Sequence, residues 1–164
     1  MGGDGGEGEL NLGKPIIGVI GAGQCTPEIS AVAEEVGKLI ARKGGLLICG
    51  GLGGVMEAAS RGAKDEGGIT IGVLPGDNPE DANRYIDIPV VTGLGHARNI
   101  IIAKSSDVLI AISGSYGTLS EIAFGLLLNK SIISIGSWEL DERIIRVSTA
   151  REAVEKAFEI LSGS

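Results

Sequence analysis

Aromatic residues and clusters of positive charge are both scarce in this chain of 164 residues. Aromatic residues make up 3% of the sequence, so a surface that stacks successive nucleic-acid bases is not expected. The formal net charge is −7, and the lysines and arginines are scattered along the chain. A general binder of nucleic acid or of an anionic membrane is therefore disfavoured, because both depend on clustered cations.

Cysteine is almost as rare, and a long apolar run is missing. Cys25 and Cys49 stand without a third or fourth ligand at metal spacing, so we predict reduced structural thiols, no metal site and no cofactor. No run approaches the roughly 20 apolar residues that span a bilayer, and the N-terminus lacks the basic and apolar segments of a signal peptide. These absences predict a cytoplasmic protein with no membrane partner.

Glycine, in contrast, is abundant, with 28 residues. Its clusters follow short apolar runs, which predict buried strands at 16–20, 46–49, 69–74, 88–91, 108–112 and 132–135. Helical patterns alternate with these strands. The first helix is predicted to start with Thr26 as its cap and Pro27 as its first residue, a short helix lies within 95–105, and the last helix, 149–161, starts with a capping box of Thr149 and Glu152. We therefore predict an α/β fold with a single doubly wound, mainly parallel Rossmann-like sheet and helices on both faces. This domain spans 14–164, and residues 1–13 form a disordered glycine-rich tail.

The segment 113–121 has the composition of an anion-binding turn. It follows a buried strand and precedes a helical apolar pattern, so its glycines lie where a strand becomes a helix. Backbone N–H groups at such a helix start have no intrahelical partner, and the helix dipole adds positive potential. A phosphate is the natural ligand. The predicted ligand-binding residues of this turn are Gly114, Ser115, Tyr116, Gly117 and Thr118.

Charged residues near this turn allow a catalytic and a plainer explanation. Glu121 stands beside the predicted phosphate, but Thr118 and Glu121 also fit a capping box, and exposure opposite the apolar stripe would explain the glutamate equally well. Arg98 fits an exposed helix cation as well as a site residue. His96, the single histidine, fits a helix cap as well as an acid or a ligand.

Two further glycine clusters also follow strands. Gly21 and Gly23 begin like a dinucleotide fingerprint, but Thr26 stands at the third glycine position and no acidic residue ends the second strand, so an NAD enzyme is disfavoured. The run 50–54 lacks the Gly-Lys-Ser/Thr of a Walker loop and forms either a tightly packed turn or a second ligand-facing wall. The candidate ligand-binding residues here are Gly21, Gly51, Gly53 and Gly54.

Three segments stand in the order and spacing of one known family. Residues 114–121 resemble P-G-G-x-G-T-x-x-E, 50–56 resemble G-G-G-x-x-G-[LV]-M, and 96–99 resemble H-x-R-K. These are motifs of the Lonely Guy family of cytokinin riboside 5′-monophosphate phosphoribohydrolases, long labelled possible lysine decarboxylases. The resemblance covers about 15–161. It implies a catalytic pair, Arg98 and Glu121, and a 5′-phosphate held by Gly114, Gly117 and Thr118.

The chain departs from this family at three positions. Ser113 replaces the signature proline, Ser115 replaces the second glycine, and Asn99 replaces the lysine of H-x-R-K. These departures resemble a side branch of the superfamily that includes molybdenum-cofactor carrier proteins and has distant kinship to the Rossmann domain of DNA-processing protein A. Asn99 and His96 are therefore kept as further candidate site residues.

Two functions of different classes fit these residues. The first is hydrolysis of the N-glycosidic bond of a nucleoside 5′-monophosphate, with Glu121 stabilising the oxocarbenium-like sugar and Arg98 binding the phosphate and fixing the carboxylate. The second is a non-catalytic carrier or sensor of a phosphorylated heterocycle, such as a nucleotide or the pterin of molybdenum cofactor. Both predict a small phosphorylated ligand.

The helix after residue 118 is apolar nearly all round. Phe124 and Leu128 lie away from its core stripe, so we predict that this face packs on a second subunit in a symmetric homodimer or larger homo-oligomer, with Glu121 near the interface. The alternative is that the last helix of the same chain covers those residues.

Overall fold

Seven parallel strands form one sheet in the computed structural model, which describes residues 13–163. The strands lie in the order β4-β3-β2-β1-β5-β6-β7. Their bounds are β1 (Ile16–Gly21), β2 (Leu46–Cys49), β3 (Thr70–Leu74), β4 (Ile88–Val91), β5 (Val108–Ile112), β6 (Ser131–Ile135) and β7 (Ile145–Val147). The chain therefore builds the sheet from β1 to one edge and from β5 to the other, which confirms the predicted doubly wound fold.

Helices cover both faces of the sheet. Those of the described residues are α1 (Pro27–Arg42), α2 (Val55–Asp65), α3 (Asn99–Ser105), α4 (Tyr116–Leu127) and α5 (Ala150–Leu161). One core cluster joins the sheet to α1, α2 and α5, and the other joins it to α3 and α4. The five residues of β5 are all buried and divide between the two clusters, as expected for a central strand covered on both sides.

Local sequence signals set the starts of α1 and α5. Thr26 caps α1 by accepting the N–H of Ile29 at 3.2 Å, and Pro27 occupies the first helical position. Thr149 caps α5 by accepting the N–H of Glu152 at 3.1 Å. Both predicted helix starts are confirmed.

The structure differs from the sequence-based assignment in two elements. β7 was not predicted, because it has three residues with the charged Arg146 in the middle and pairs with β6 alone. The predicted helix at 95–105 is divided into a 3₁₀ turn, Gly95–Arg98, and the α-helix α3.

Two predictions concern the ends and the exterior of the chain. Residues 1–12 of the predicted tail lie outside the described residues, and Gly13 is in a turn. Between residues 13 and 163 no helix is both long and apolar enough to cross a bilayer.

The strand order reverses between β1 and β5, and this position determines where a ligand can bind. The register pairs Gly21 with Ile112, so both strands end side by side. In parallel α/β sheets the crevice beyond the carboxyl ends of such strands is the usual ligand site.

Candidate functional site

A cavity of about 180 Å³ opens at this crevice and collects most of the predicted site residues. We call it the Glu121 cavity. It contains residues from the three family-like motifs and Gly21, the last residue of β1. Its lining residues are Gly21, Gly23, Leu52, Met56, His96, Arg98, Asn99, Ser115, Gly117, Thr118 and Glu121. Of the other predicted residues, Gly51, Gly53, Gly54, Gly114 and Tyr116 do not line it.

The turn between β5 and α4 leaves part of its backbone free. The Ser113 N–H donates to the Ile135 carbonyl at 3.0 Å, and the Ser115 N–H donates to Thr118 Oγ1 at 3.3 Å. Within residues 13–163 no carbonyl or side chain accepts from the amides of Gly114, Tyr116 or Gly117. A Cβ placed on Gly117 would meet nothing within 4 Å, so the space beside this helix start is open. Free amides facing open space are what an oxyanion needs.

Glu121 is buried, with 7% of its surface exposed, so exposure does not explain it. The capping alternative is also wrong. Ser115 is the N-cap of α4, which makes Thr118 the third helical residue and puts Glu121 six residues beyond the cap. No residue between 13 and 163 donates a hydrogen bond to its carboxylate. Burial raises the pKa of the Glu121 carboxyl from 4.5 to about 8, against the opposing effect of the Arg98 charge.

Arg98 is also buried, at 7% exposure, so the exposed-cation alternative is wrong. Its guanidinium is fixed by neighbouring oxygens: Nε donates to the Val73 carbonyl at 2.9 Å, Nη2 to the Gly50 carbonyl at 3.5 Å, and Nη1 to Asn99 Oδ1. Burial lowers the pKa of Arg98, and the nearby Glu121 charge opposes that effect. The expected hydrogen bond from Arg98 to Glu121 is not formed in the described chain, so the two groups interact only by electrostatic attraction across the cavity.

Asn99 joins Arg98 to the anion turn. It is 1% exposed, accepts from Arg98, and donates through Nδ2 to Ser120 Oγ at 2.9 Å and to the Gly117 carbonyl at 3.5 Å. The residue that replaces the family lysine therefore connects the arginine with the first turn of α4. Sequence reasoning missed Ser120, whose hydroxyl donates to the Gly117 carbonyl at 2.7 Å.

Gly50 also was not singled out from the sequence, yet it makes room for Arg98. A Cβ at Gly50 would lie 2.8 Å from Arg98 Nη2 and 2.7 Å from Met56 Sδ. Because glycine has no side chain, the Arg98 guanidinium can reach the Gly50 carbonyl beside the cavity. The run of glycines at 50–54 marked this turn in the sequence, but Arg98, for which Gly50 makes room, is 48 residues away in the chain.

The remaining glycines of the β2–α2 turn pack closely on their neighbours. Gly51 has φ +78°, and a Cβ there would lie 2.7 Å from the Leu74 side chain. Gly54 has φ +61°, and a Cβ there would overlap the Ala22 carbonyl oxygen. A Cβ at Gly53 would lie 3.2 Å from the Gly23 oxygen. Close packing thus accounts for Gly51 and Gly54 without a ligand.

Several predicted residues stand at the margin of the cavity. His96 is exposed and lines it, whereas Tyr116 is 82% exposed and does not line it. Gly114 has φ +139° and packs against Thr118, where a Cβ would approach within 2.7 Å. Ser113 has φ +51°, which proline cannot adopt, and uses its N–H in a hydrogen bond; this explains why the signature proline is missing.

These features agree with the relatives of the chain. The protein belongs to the SLOG cluster4 family, which it matches over residues 14–160. It is 49% identical over 138 residues to a protein of Archaeoglobus fulgidus of undescribed function, covering 84% of this chain and 91% of that protein. The Lonely Guy resemblance is confirmed by homologues that carry that family's enzyme name.

Two of these homologues are cytokinin riboside 5′-monophosphate phosphoribohydrolases. The Mycobacterium marinum enzyme is 33% identical over 122 residues, which cover 68% of this chain and 65% of the enzyme. LOG5 of Arabidopsis thaliana is 30% identical over 95 residues, which cover 56% of this chain and 41% of LOG5. The chain spans less than two thirds of either enzyme.

Solved structures confirm the side branch. The molybdenum cofactor binding protein of Rippkaea orientalis is 40% identical with a TM-score of 0.87, covering 92% of this chain and 99% of that one. The molybdenum cofactor carrier protein of Chlamydomonas reinhardtii is 38% identical with a TM-score of 0.84 and the same coverage. DNA processing protein A of Helicobacter pylori shares the fold alone, with 17% identity and a TM-score of 0.70 over 89% of this chain and 81% of that one.

Proposed function

We propose that this protein binds a nucleoside 5′-monophosphate in the Glu121 cavity and hydrolyses its N-glycosidic bond to give free base and ribose 5-phosphate. The observation that supports this most directly is Glu121 itself. A carboxyl group that is buried, without a hydrogen bond and beside free backbone amides destabilises the fold, and such groups cluster at catalytic sites.

The start of α4 supplies the phosphate site of this proposal. The amides of Tyr116 and Gly117 have no acceptor in the described chain, and the helix dipole is positive at this end. The protein is acidic overall, but backbone amides bind an anion locally and independently of net charge. The 5′-phosphate would therefore lie beside Gly117, with the sugar directed into the cavity toward Glu121.

Glu121 would act first as an acid. With a pKa of about 8 its carboxyl group is mostly protonated at neutral pH. As the bond from C1′ to the base nitrogen breaks, the electron pair goes to the base and the Glu121 proton is transferred to it. The carboxylate that remains stabilises the oxocarbenium-like sugar. Water then attacks C1′, and its proton returns to Glu121.

Arg98 would stabilise the charged state of that cycle. Three of its guanidinium N–H groups have protein acceptors, which leaves two of five for a ligand oxygen. Its position is set by Val73, Gly50 and Asn99 and does not depend on the ligand. A fixed cation across the cavity favours the Glu121 carboxylate once the proton has left.

The test is to incubate the protein with AMP and related nucleoside monophosphates and to quantify base and ribose 5-phosphate. We expect Glu121→Gln to lower the rate by about 10²-fold or more, since the amide cannot donate this proton or become an anion. Glu57→Gln, on the helix that follows the other glycine-rich turn, is the matched control and keeps the parent rate. Turnover by the parent should fall above about pH 8, where Glu121 loses its proton.

Absence of base release, or equal rates for the parent and Glu121→Gln, would refute hydrolysis. In that case the second candidate is a carrier or sensor of a phosphorylated heterocycle. It is favoured by the 38–40% identity to molybdenum cofactor binding and carrier proteins over 92% of the chain, and by the changed residues Ser113, Ser115 and Asn99. It predicts binding without turnover, and mass spectrometry of the co-purified small molecule would identify the ligand.

We also propose that the protein is a homodimer that pairs through the face formed by α3 and α4. The expectation that Phe124 and Leu128 lie away from the core is wrong, because both pack against the core cluster on this side. The last helix, α5, belongs to the opposite face and does not cover them. Ile100 on α3 and Leu127 on α4 remain 37% and 72% exposed. Light scattering at micromolar concentration should give twice the mass of the chain; a monomer would contradict the proposal.

A further inference from the structure

A continuous chain of hydrogen bonds runs from Arg98 to the turn between β5 and α4. Arg98 Nη1 donates to Asn99 Oδ1, and Asn99 Nδ2 donates to Ser120 Oγ at 2.9 Å. Ser120 Oγ in turn donates to the Gly117 carbonyl at 2.7 Å, and Asn99 Nδ2 also lies 3.5 Å from that carbonyl. The chain therefore joins the fixed cation of the cavity to a residue in the first turn of α4.

The direction of each hydrogen bond in this chain follows from the chemistry of its members. An arginine only donates, so the amide oxygen of Asn99 must face Arg98 and its NH₂ group must face Ser120. A backbone carbonyl only accepts, so the single proton of the Ser120 hydroxyl goes to Gly117. All donors thus point from a cation toward one carbonyl, and hydrogen bonds aligned in this way strengthen one another.

Asn99 occupies a position that requires both an acceptor and a donor. It is 1% exposed, so solvent water does not serve as an alternative partner for either group. A lysine at this position, as in the family motif, could donate to Ser120 but could not accept from Arg98. An aspartate could accept but could not donate. The asparagine amide does both, so the departure from the family lysine has a structural reason within this chain.

Gly117 is the residue whose position most needs such support. Its N–H has no acceptor within residues 13–163, and a Cβ there would meet nothing within 4 Å, so close packing does not fix it. Glycine also has the greatest backbone freedom of any residue. A site binds more tightly when its donors are fixed before the ligand arrives. The Ser120 hydroxyl and the Asn99 amide supply that restraint through the carbonyl of the same residue.

We infer that Asn99 is a positioning residue of the proposed nucleotide site. Through Ser120 it holds Gly117 for the phosphate, and through its own amide oxygen it holds Arg98, the cation beside the sugar. This inference rests on the proposed function and deepens it, because it assigns Asn99 and Ser120 to the positioning of the same site. The phosphate site and the arginine are then parts of one hydrogen-bonded unit.

The test measures the Kd of ribose 5-phosphate by isothermal titration calorimetry, so it does not depend on turnover. Ser120→Ala and Asn99→Ala should each weaken binding by about fivefold or more, the effect of losing a hydrogen bond that fixes the turn. Because both residues act in one chain, the double variant should be weakened by no more than about twofold beyond the stronger single variant. Independent effects would instead multiply.

Two matched variants separate positioning from general destabilisation. Ser106→Ala removes a buried hydroxyl that donates to the Ile102 carbonyl at 2.7 Å, a hydrogen bond like that of Ser120 but at the C-terminal end of α3. It should keep the Kd within about twofold of the parent, and its effect should multiply with that of Asn99→Ala. Ser120→Thr keeps a hydroxyl that can reach the same carbonyl and should keep the Kd within about threefold.

Turnover of AMP distinguishes the two ends of the chain. Ser120→Ala should raise KM and leave kcat within about twofold, because Arg98 keeps its acceptor. Asn99→Ala should raise KM and also lower kcat by about fivefold or more, because Arg98 loses that acceptor. A purely structural role would lower the free energy of unfolding without this division between KM and kcat.

The outcomes separate the inference from the function on which it rests. If Ser120→Ala binds ribose 5-phosphate like the parent, or if its effect multiplies in full with that of Asn99→Ala, the inference is wrong. Should Asn99→Ala fail to fold, the contrast between Ser120→Ala and Ser120→Thr still decides, since both variants keep Asn99. A parent that binds ribose 5-phosphate but does not hydrolyse AMP refutes hydrolysis alone. A parent that binds neither compound refutes the phosphate site, and the inference with it.

Discussion

Two glycine-rich turns stand at the same edge of the sheet and differ in what occupies the space beside them. The turn at 50–54, between β2 and α2, is closed: a side chain at Gly51 would meet Leu74, and one at Gly54 would overlap Ala22. The turn at 113–117, between β5 and α4, is open, since a Cβ at Gly117 would meet nothing within 4 Å. Similar composition therefore serves close packing in one turn and access to a helix start in the other.

The difference shows what a glycine in such a turn indicates. Where a Cβ would strike protein, glycine satisfies a packing requirement, and a ligand is not needed to explain it. Where a Cβ would enter empty space beside free amides, packing does not explain the glycine, and an anionic ligand is the natural explanation for the open space. By this criterion Gly117 remains a candidate for the proposed ligand site, whereas close packing accounts for Gly51 and Gly54, and Gly50 makes room for Arg98.

The largest expected effect concerns the acid beside the open turn. Because the folded-state pKa of Glu121 is raised from 4.5 to about 8, the folded protein holds this proton more tightly than the unfolded chain. Stability should therefore fall as the pH rises from about 4.5 to about 8 and level off above it. At 1.36 kcal/mol per pH unit, the difference reaches about 5 kcal/mol as an upper bound.

Urea unfolding of the parent and Glu121→Gln between pH 5 and pH 9 measures this effect. The variant has no proton to lose, so its free energy of unfolding should rise relative to the parent by several kcal/mol over this range. Glu57→Gln, beside the closed turn, is the control and should follow the parent. Parallel curves for the parent and Glu121→Gln would mean that burial does not raise the pKa of Glu121. The two turns would then differ in packing but not in the electrostatics of a nearby acid.

Much of the fold, but less of the site, could be predicted from the sequence. Local signals were sufficient for α1, where Thr26 and Pro27 set the start, and for β5, whose continuous apolar run identified a central strand. β7 was not predicted, because a three-residue strand is specified by its pairing with β6. Such pairing is a contact between distant segments, which a local pattern does not contain.

The candidate site was predicted at the turn, but its electrostatics depended on distant contacts. The sequence allowed Glu121 to be a cap, and the position of the true cap, Ser115, decided against it. The burial of Arg98 by Gly50 and Val73 joins segments that are 48 and 25 residues away from it in the chain. Helical periodicity considers only the neighbours of Arg98 along the chain. The burial of Arg98 depends instead on Val73 and Gly50 at the edge of the sheet.

The last prediction uses side chains to fill the two turns in parallel. In Gly117→Val the new Cβ would enter the open space at the start of α4, where it meets no protein atom within 4 Å, so the free energy of unfolding should change by less than about 1 kcal/mol. The same group would occupy the phosphate position, and the affinity for ribose 5-phosphate should fall by at least tenfold. In Gly54→Ala the positive φ and the overlap with the Ala22 carbonyl should destabilise the fold by about 2–4 kcal/mol. Urea unfolding and calorimetric titration of both variants give the full comparison. A Gly117→Val protein that binds ribose 5-phosphate like the parent would show that the open turn is not the anion site, because no other change in that variant could compensate for a blocked helix start.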